Sequence, residues 1–151
     1  MEFTNASSQP RILIEDTRQR INAEAKIKLL ETFDFQPVHP QLIHIRTHEF
    51  SAVCPGTGLP DIGLLDIEYI PHQKAVELKA LKYYLFSYRN DPIFQEPVTD
   101  LIFDHLWRVM SPLYLRVEMK YNTRGGFDTI TIAEKGDRRQ LNPAESHTVG
   151  K

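Results

Sequence analysis

The chain contains a single cysteine, Cys54, in the run Cys54-Pro55-Gly56-Thr57-Gly58-Leu59-Pro60-Asp61. A free cysteine is most often a small buried hydrophobe. This one sits instead in a Pro/Gly loop beside an expected strand end, where no apolar periodicity asks for burial. Seven residues on, Asp61 stands where the chain should enter a second strand, and a turn between them could bring thiol and carboxylate together. A thiol of ordinary pKa, about 8.5, is mostly protonated at neutral pH and needs a base or a positive environment to act as a nucleophile. Asp61 could take that proton and later return it to a substrate atom. On local sequence alone, an aspartate after a proline is equally a turn-capping residue.

Further along the chain, Glu77 falls on a helical wheel within the apolar face of Val76, Ala80, Leu81, Tyr84 and Leu85. A carboxylate there must be paired or must bind something. Alternatively it is a first-turn acid favoured by the helix dipole. Lys79 and Lys82 project from the opposite face, where they either solvate the helix or hold a phosphate. Glu96 precedes Pro97 at the start of the next helix, a good place for an anion and for a carboxylate that accepts two hydrogen bonds. Arg124, in Thr123-Arg124-Gly125-Gly126, lies in a turn whose guanidinium and amides could grip phosphate, though a hairpin arginine is also commonplace. His39, His44 and His48 do not complete a metal site, and no metal is expected. His72 reads as a turn residue and His105 as a helix surface residue.

These residues need elements to position them. At 151 residues the chain is the size of one domain, with a formal net charge of -2 that gives no general attraction to nucleic acid or membrane. No apolar run approaches the ~20 residues that cross a bilayer, and Met1–Asn5 lacks the pattern of a secretory signal. With one cysteine, no intrachain disulfide can form, so a reducing cytoplasm is the expected setting.

A short helix is expected over 17–31, then strands at Leu42–His48 and Leu65–Tyr69, the first of these alternating Ile43 and Ile45 with His44 and Arg46. A helix over 74–88 follows, then a helix from Pro97 that Ser111-Pro112 stops. Strands at Leu113–Tyr121 and Phe127–Ala133, joined by a turn, complete the set. The order ββααββ predicts an α+β domain: an antiparallel four-stranded sheet with both helices on one face, preceded by a short N-terminal helix. The ordered core is expected over about 17–133, with 1–10 and 135–151 as mobile tails. Two open sheet edges must be covered or paired, and pairing with other copies is the natural solution.

Read together, four segments resemble the NADPH-dependent 7-cyano-7-deazaguanine reductases, the QueF-type nitrile reductases of queuosine biosynthesis. They are Phe50 through Asp61, Glu77-Leu78-Lys79-Ala80-Leu81-Lys82-Tyr83-Tyr84-Leu85-Phe86-Ser87-Tyr88-Arg89-Asn90, Phe94-Gln95-Glu96, and Thr123-Arg124-Gly125-Gly126. The resemblance runs from about Glu31 to Ala133 and implies the tunnelling fold, whose subunits close into homo-oligomeric rings with active sites between subunits. It implies that Cys54 adds to the nitrile carbon to give a thioimide, with Asp61 as general acid/base and NADPH as reductant. Glu96, Glu77, Leu78 and Gln95 would hold the deazapurine base, and Lys79, Lys82 and Arg124 would meet the cofactor phosphates. No metal and no direct nucleic-acid contact are implied.

Typical members carry His-Glu where this chain has Gln95-Glu96, so a proton-transfer role at position 95 is not available here. Two other readings differ in outcome. An amidine-forming relative acting on nitrile-bearing tRNA would lack the Glu77–Tyr84 signature. A catalytically idle, ring-forming purine- or pterin-binding protein would have no use for the thiol.

Overall fold

A computed structural model describes residues 22–141. The tail expected at 1–10, the first part of the helix expected over 17–31, and positions 142–151 lie outside the described residues. The elements are β1 (Thr32–Asp34), β2 (Ile43–Val53), β3 (Pro60–Ile70), β4 (Lys74–Val76), α1 (Leu78–Phe86), α2 (Gln95–Met110), β5 (Tyr114–Tyr121) and β6 (Ile130–Gly136). The four long strands form one antiparallel sheet, as the ββααββ order predicts, and their spatial order is β2-β3-β5-β6. Among the described residues no helix is long and apolar enough to cross a membrane.

Several boundaries move for tertiary reasons. Residues 22–25 are helical and run into a 3-10 turn at Lys26–Leu29, but the helix expected to Glu31 stops there. Thr32–Asp34 instead pairs with Lys74–Val76 as a two-stranded ribbon, Thr32 opposite Val76. That pairing takes the first turn away from the helix expected over 74–88, so α1 begins only at Leu78. Strand pairing that buries Ala75 and Val76 overrides the local helical pattern. Helix α2 starts at Gln95, two residues earlier than expected, which leaves Pro97 inside the first turn, where a missing N–H costs no intrahelical bond. Ser111 ends α2 in the left-handed conformation, φ 46°, ahead of Pro112. The last strand begins at Ile130 rather than Phe127 and continues to Gly136, followed by a 3-10 turn at Arg138–Leu141.

His105 is not on the surface. It is fully buried, its Nδ1 2.9 Å from the Tyr84 hydroxyl, which lies 2.9 Å from that of Tyr88, and its Nε2 3.3 Å from Glu24. Burial holds the imidazole pKa below its usual value, although Glu24 pulls the other way.

One irregularity decides where the chemistry can sit. Strand β2 pairs Thr47 with Leu65 but Phe50 with Gly63, so β2 carries one extra residue, a β-bulge. Before it, Ile43 and Ile45 pack toward the core; after it, Phe50 (1% exposed) and Ala52 (2%) do. The parity of the inward face therefore switches from odd to even along this strand. Its helix-covered partners are Leu65, Ile67 and Tyr69 of β3 and Leu115, Val117 and Met119 of β5, paired across the sheet and all buried. The opposite face is polar: Arg46 and His44 both bond Asp66, and Arg116 pairs with Glu118.

Candidate active site

Cys54 directly follows β2, and the switched parity turns it toward the helix side, where Asp61 opens β3 opposite Ala52. The intervening loop is closed by two backbone bonds, Gly58 N–H to the Cys54 carbonyl (2.8 Å) and Cys54 N–H to the Leu59 carbonyl (2.9 Å). Gly58 has φ 71°, a conformation a side chain would strain. Thr57 faces back into the loop, and its hydroxyl is the main cause of a thiol pKa lowered to about 7. Burial opposes the shift, while Arg124 and the amides of Thr57 and Gly56 add to it. A large share of such a thiol is the reactive thiolate near neutrality.

Asp61 is 2% exposed and is not a solvent-facing cap. Its Oδ1 is paired with the Arg124 guanidinium, and Gln95 Nε2 lies 3.4 Å from the same oxygen. Arg124 also donates from Nη2 to Thr57 Oγ1 at 3.1 Å. The guanidinium is delivered by a tight hairpin, in which Arg124 and Phe127 exchange both backbone bonds (3.0 and 2.9 Å) across Gly125 and Gly126. Both glycines have positive φ, 57° and 82°, as a two-residue turn of this kind requires.

The segment between the helices completes the wall. Val53 donates to Asp91 (3.0 Å) and accepts from Ile93 (3.0 Å), adding this segment as a short parallel bridge to the end of β2. Phe94, Gln95 and Glu96 are thereby fixed beside Cys54, and Tyr121 donates to the Gln95 carbonyl at 3.3 Å. Cys54, Thr57, Asp61, Arg124, Phe94, Gln95 and Glu96 line a cleft of about 520 Å³ together with Asn122, Phe127 and Thr129. Glu96 stands exposed in the first turn of α2, where the helix dipole favours an anion.

The remaining residues singled out from the sequence lie elsewhere. Glu77 does not sit on the apolar face of a helix; it is the N-cap of α1, and its carboxylate accepts from Lys79 N–H (2.8 Å) and Ala80 N–H (2.7 Å). Those bonds lower its pKa. With Leu78 it borders a cleft of about 590 Å³ under Phe33, Phe35 and Tyr69. Leu78 also meets Lys82 at an apolar groove of about 150 Å³ lined by Ile45, Phe50, Leu81, Leu85 and Phe86. Lys79 and Lys82 are both exposed. Neither of these hollows shares a lining residue with the cleft of Cys54. Within one chain, then, the residues form two groups: Cys54, Asp61, Gln95, Glu96 and Arg124, and separately Glu77, Leu78, Lys79 and Lys82.

Sequence reasoning missed Thr57 as the chief partner of the thiol, although its place inside the Cys-Pro-Gly-Thr-Gly loop was a signal. It also missed that Arg124 meets Asp61, a pairing across 63 positions that no local pattern reveals.

Fold and site together define an α+β domain of the tunnelling-fold kind, with one acidified thiol beside a buried carboxylate. The model of the family described as QueF-like protein matches residues 60–140. The NADPH-dependent 7-cyano-7-deazaguanine reductase of Caldicellulosiruptor bescii is 46% identical over 107 residues, 70% of this chain and 82% of that protein. The reductase of the same name from Chloroherpeton thalassium is 44% identical over 109 residues, 72% of this chain and 94% of its own. That of Chlorobaculum parvum is 40% identical over 113 residues, 74% and 97% respectively. Among solved structures, the archaeosine synthase QueF-Like in the apo form superposes with a TM-score of 0.59 at 27% identity, over 65% of this chain and 96% of that one. The chain belongs to the QueF-like family.

Proposed function

We propose that this protein is an NADPH-dependent oxidoreductase that reduces the nitrile of 7-cyano-7-deazaguanine to the aminomethyl group, a four-electron step of queuosine biosynthesis. The observation that carries the reading is 46% identity to a reductase of that name, over a region that includes an acidified Cys54 beside Asp61. The Cys54 thiolate adds to the nitrile carbon while Asp61 gives a proton to the nitrile nitrogen, forming a covalent thioimide. Asp61 is suited to this because it is buried, lines the same cleft as the thiol, and is held there by groups that do not themselves titrate near neutrality, Arg124 and Gln95. After the first reduction the C–S bond breaks, which returns the thiolate to Cys54 and leaves an imine for the second. NADPH, when bound, supplies the hydride for each reduction.

Lys79 and Lys82 fit a phosphate-bearing cofactor: both are exposed cations about one turn apart on α1, and Lys82 borders an apolar groove suited to a planar ring. Arg124 would add to the phosphate contacts from the side of the nucleophile. Glu96 and Gln95 would hold the pyrimidine edge of the base from one side, and Glu77 and Leu78 from the other. Because these groups line separate hollows in a single chain, a complete site takes Glu77 and Leu78 from a neighbouring copy. The open edges of β2 and β6 support that arrangement, a homo-oligomeric ring with active sites between subunits. The substrate is a free base, not nucleic acid, and the single cysteine suits a reducing cytoplasm.

Incubation with 7-cyano-7-deazaguanine and NADPH tests the reading. Loss of nicotinamide absorbance at about two equivalents per aminomethyl product is expected from the electron count. Absence of NADPH oxidation, or ammonia-dependent conversion of nitrile-bearing tRNA in its place, would overturn it.

A further inference from the structure

We propose that Arg124 is a positioning residue that binds the Cys54 thiolate and the Asp61 carboxyl group with one guanidinium, so that nucleophile and proton donor are assembled before substrate arrives. The proposal rests on the reading of Cys54 as the nucleophile and deepens it.

Two contacts converge on this side chain, at the mouth of the cleft that Cys54 also lines. It pairs with Asp61 Oδ1 and donates to Thr57 Oγ1 at 3.1 Å. Cys54, Thr57, Asp61 and Arg124 line one cleft, and the Thr57 hydroxyl and the guanidinium both favour the thiolate form of Cys54. The arm is rigid where it must be. Its hairpin is closed by the paired bonds to Phe127, and Asn122 N–H anchors the strand end to the Ile62 carbonyl at 2.9 Å, one residue from Asp61. The Asp61 side chain is 3% exposed and needs a charged partner when ionised, since Gln95 at 3.4 Å is a long, neutral donor.

The charges match the reaction at both ends. When the thiol has passed its proton to Asp61, the guanidinium faces a thiolate and a neutral carboxyl group. Once sulfur has bonded to carbon and the proton has passed from Asp61 to nitrogen, the sulfur is neutral and the same guanidinium faces the Asp61 carboxylate. The group thus keeps zero net charge on both sides of the step, and no cation need move. The other titratable groups facing the thiol are Asp61 on β3, Glu96 on α2 and, beyond Asp61, Tyr121 on β5; Gln95 carries no charge.

The test is the pH dependence of Cys54 alkylation by iodoacetamide, which needs neither substrate nor NADPH. The unaltered protein should show a midpoint at about 7. Arg124→Ala should raise it, though short of the ordinary value of about 8.5 because Thr57 still bonds the thiol; a rise of one unit slows alkylation at pH 7 about fivefold. Arg124→Lys should recover part of the shift. Should the alanine variant not fold, as judged by circular dichroism, Arg124→Gln removes the charge at similar size and should also shift the midpoint. A folded Arg124→Ala or Arg124→Gln protein with an unmoved midpoint would overturn the proposal, as would an unaltered protein titrating at the ordinary thiol value. A shifted midpoint in a protein that does not oxidise NADPH would uphold the role of Arg124 while sinking the reductase reading.

Discussion

Replacing Asp61 with asparagine should drive thiol reactivity and turnover in opposite directions. The substitution keeps the size of a side chain that is 2% exposed, and the amide oxygen can still accept from Arg124 and Gln95. It removes the anion that competes with Cys54 for the guanidinium, so the thiol midpoint should fall below about 7. A fall of a single pH unit raises the thiolate fraction at pH 6 about fivefold, and iodoacetamide alkylation should rise with it. Reduction should collapse, because asparagine has no proton to give the nitrile nitrogen; general acid catalysis is typically worth about 10²–10⁴ in rate. The two assays are alkylation against pH and NADPH oxidation at saturating base. A parallel fall in both would refute the reasoning, because it would mean that Asp61 itself deprotonates the thiol and that Arg124 and Thr57 do not suffice.

Three further outcomes follow from the geometry. Tyr84→Phe removes the hydroxyl bonded to His105 Nδ1 in a fully buried site and should cost about 1–3 kcal/mol in urea unfolding, with no change in thiol reactivity. His105 itself should confer acid sensitivity. Because burial depresses its folded-state pKa below 6.5, its contribution is present above that value and is lost as pH falls through the depressed pKa. Unfolding measured at pH 7.5 and pH 5 should show that loss, and His105→Gln should reduce it. Gln95→His places a titratable imidazole beside Asp61, and the pH profile of kcat/KM should gain a limb near about 6.5; an identical profile would mean that position 95 takes no part in proton movement.

Much of this protein is legible in its amino-acid order. The alternation of Leu115, Val117 and Met119 with Arg116 and Glu118 marks β5 and its buried face, because a strand turns successive side chains to opposite sides. Ser111-Pro112 ends α2 where local backbone preference says it must. The Cys54-to-Asp61 loop, with its Pro and Gly, could be identified as a turn holding a thiol and a carboxylate. All of these are short-range properties.

What only the tertiary structure decided is which groups meet. The helical pattern beginning at Lys74 was overruled because Lys74–Val76 found a strand partner in Thr32–Asp34, which turned Glu77 from an apolar-face carboxylate into a helix cap. Arg124 reached Asp61 across 63 positions by way of the β3–β5 pairing and a Gly-Gly turn. The bulge between Thr47 and Phe50 mattered most. Alternation read from Ile43 and Ile45 would place even-numbered residues, and so Cys54, on the polar face of the sheet. One extra residue reverses that parity and turns Phe50, Ala52 and the thiol toward Asp61. Such a residue leaves no mark in a period-2 pattern beyond the point where the pattern fails, because what stabilises it is the register with β3, a partner that exists only in the folded chain.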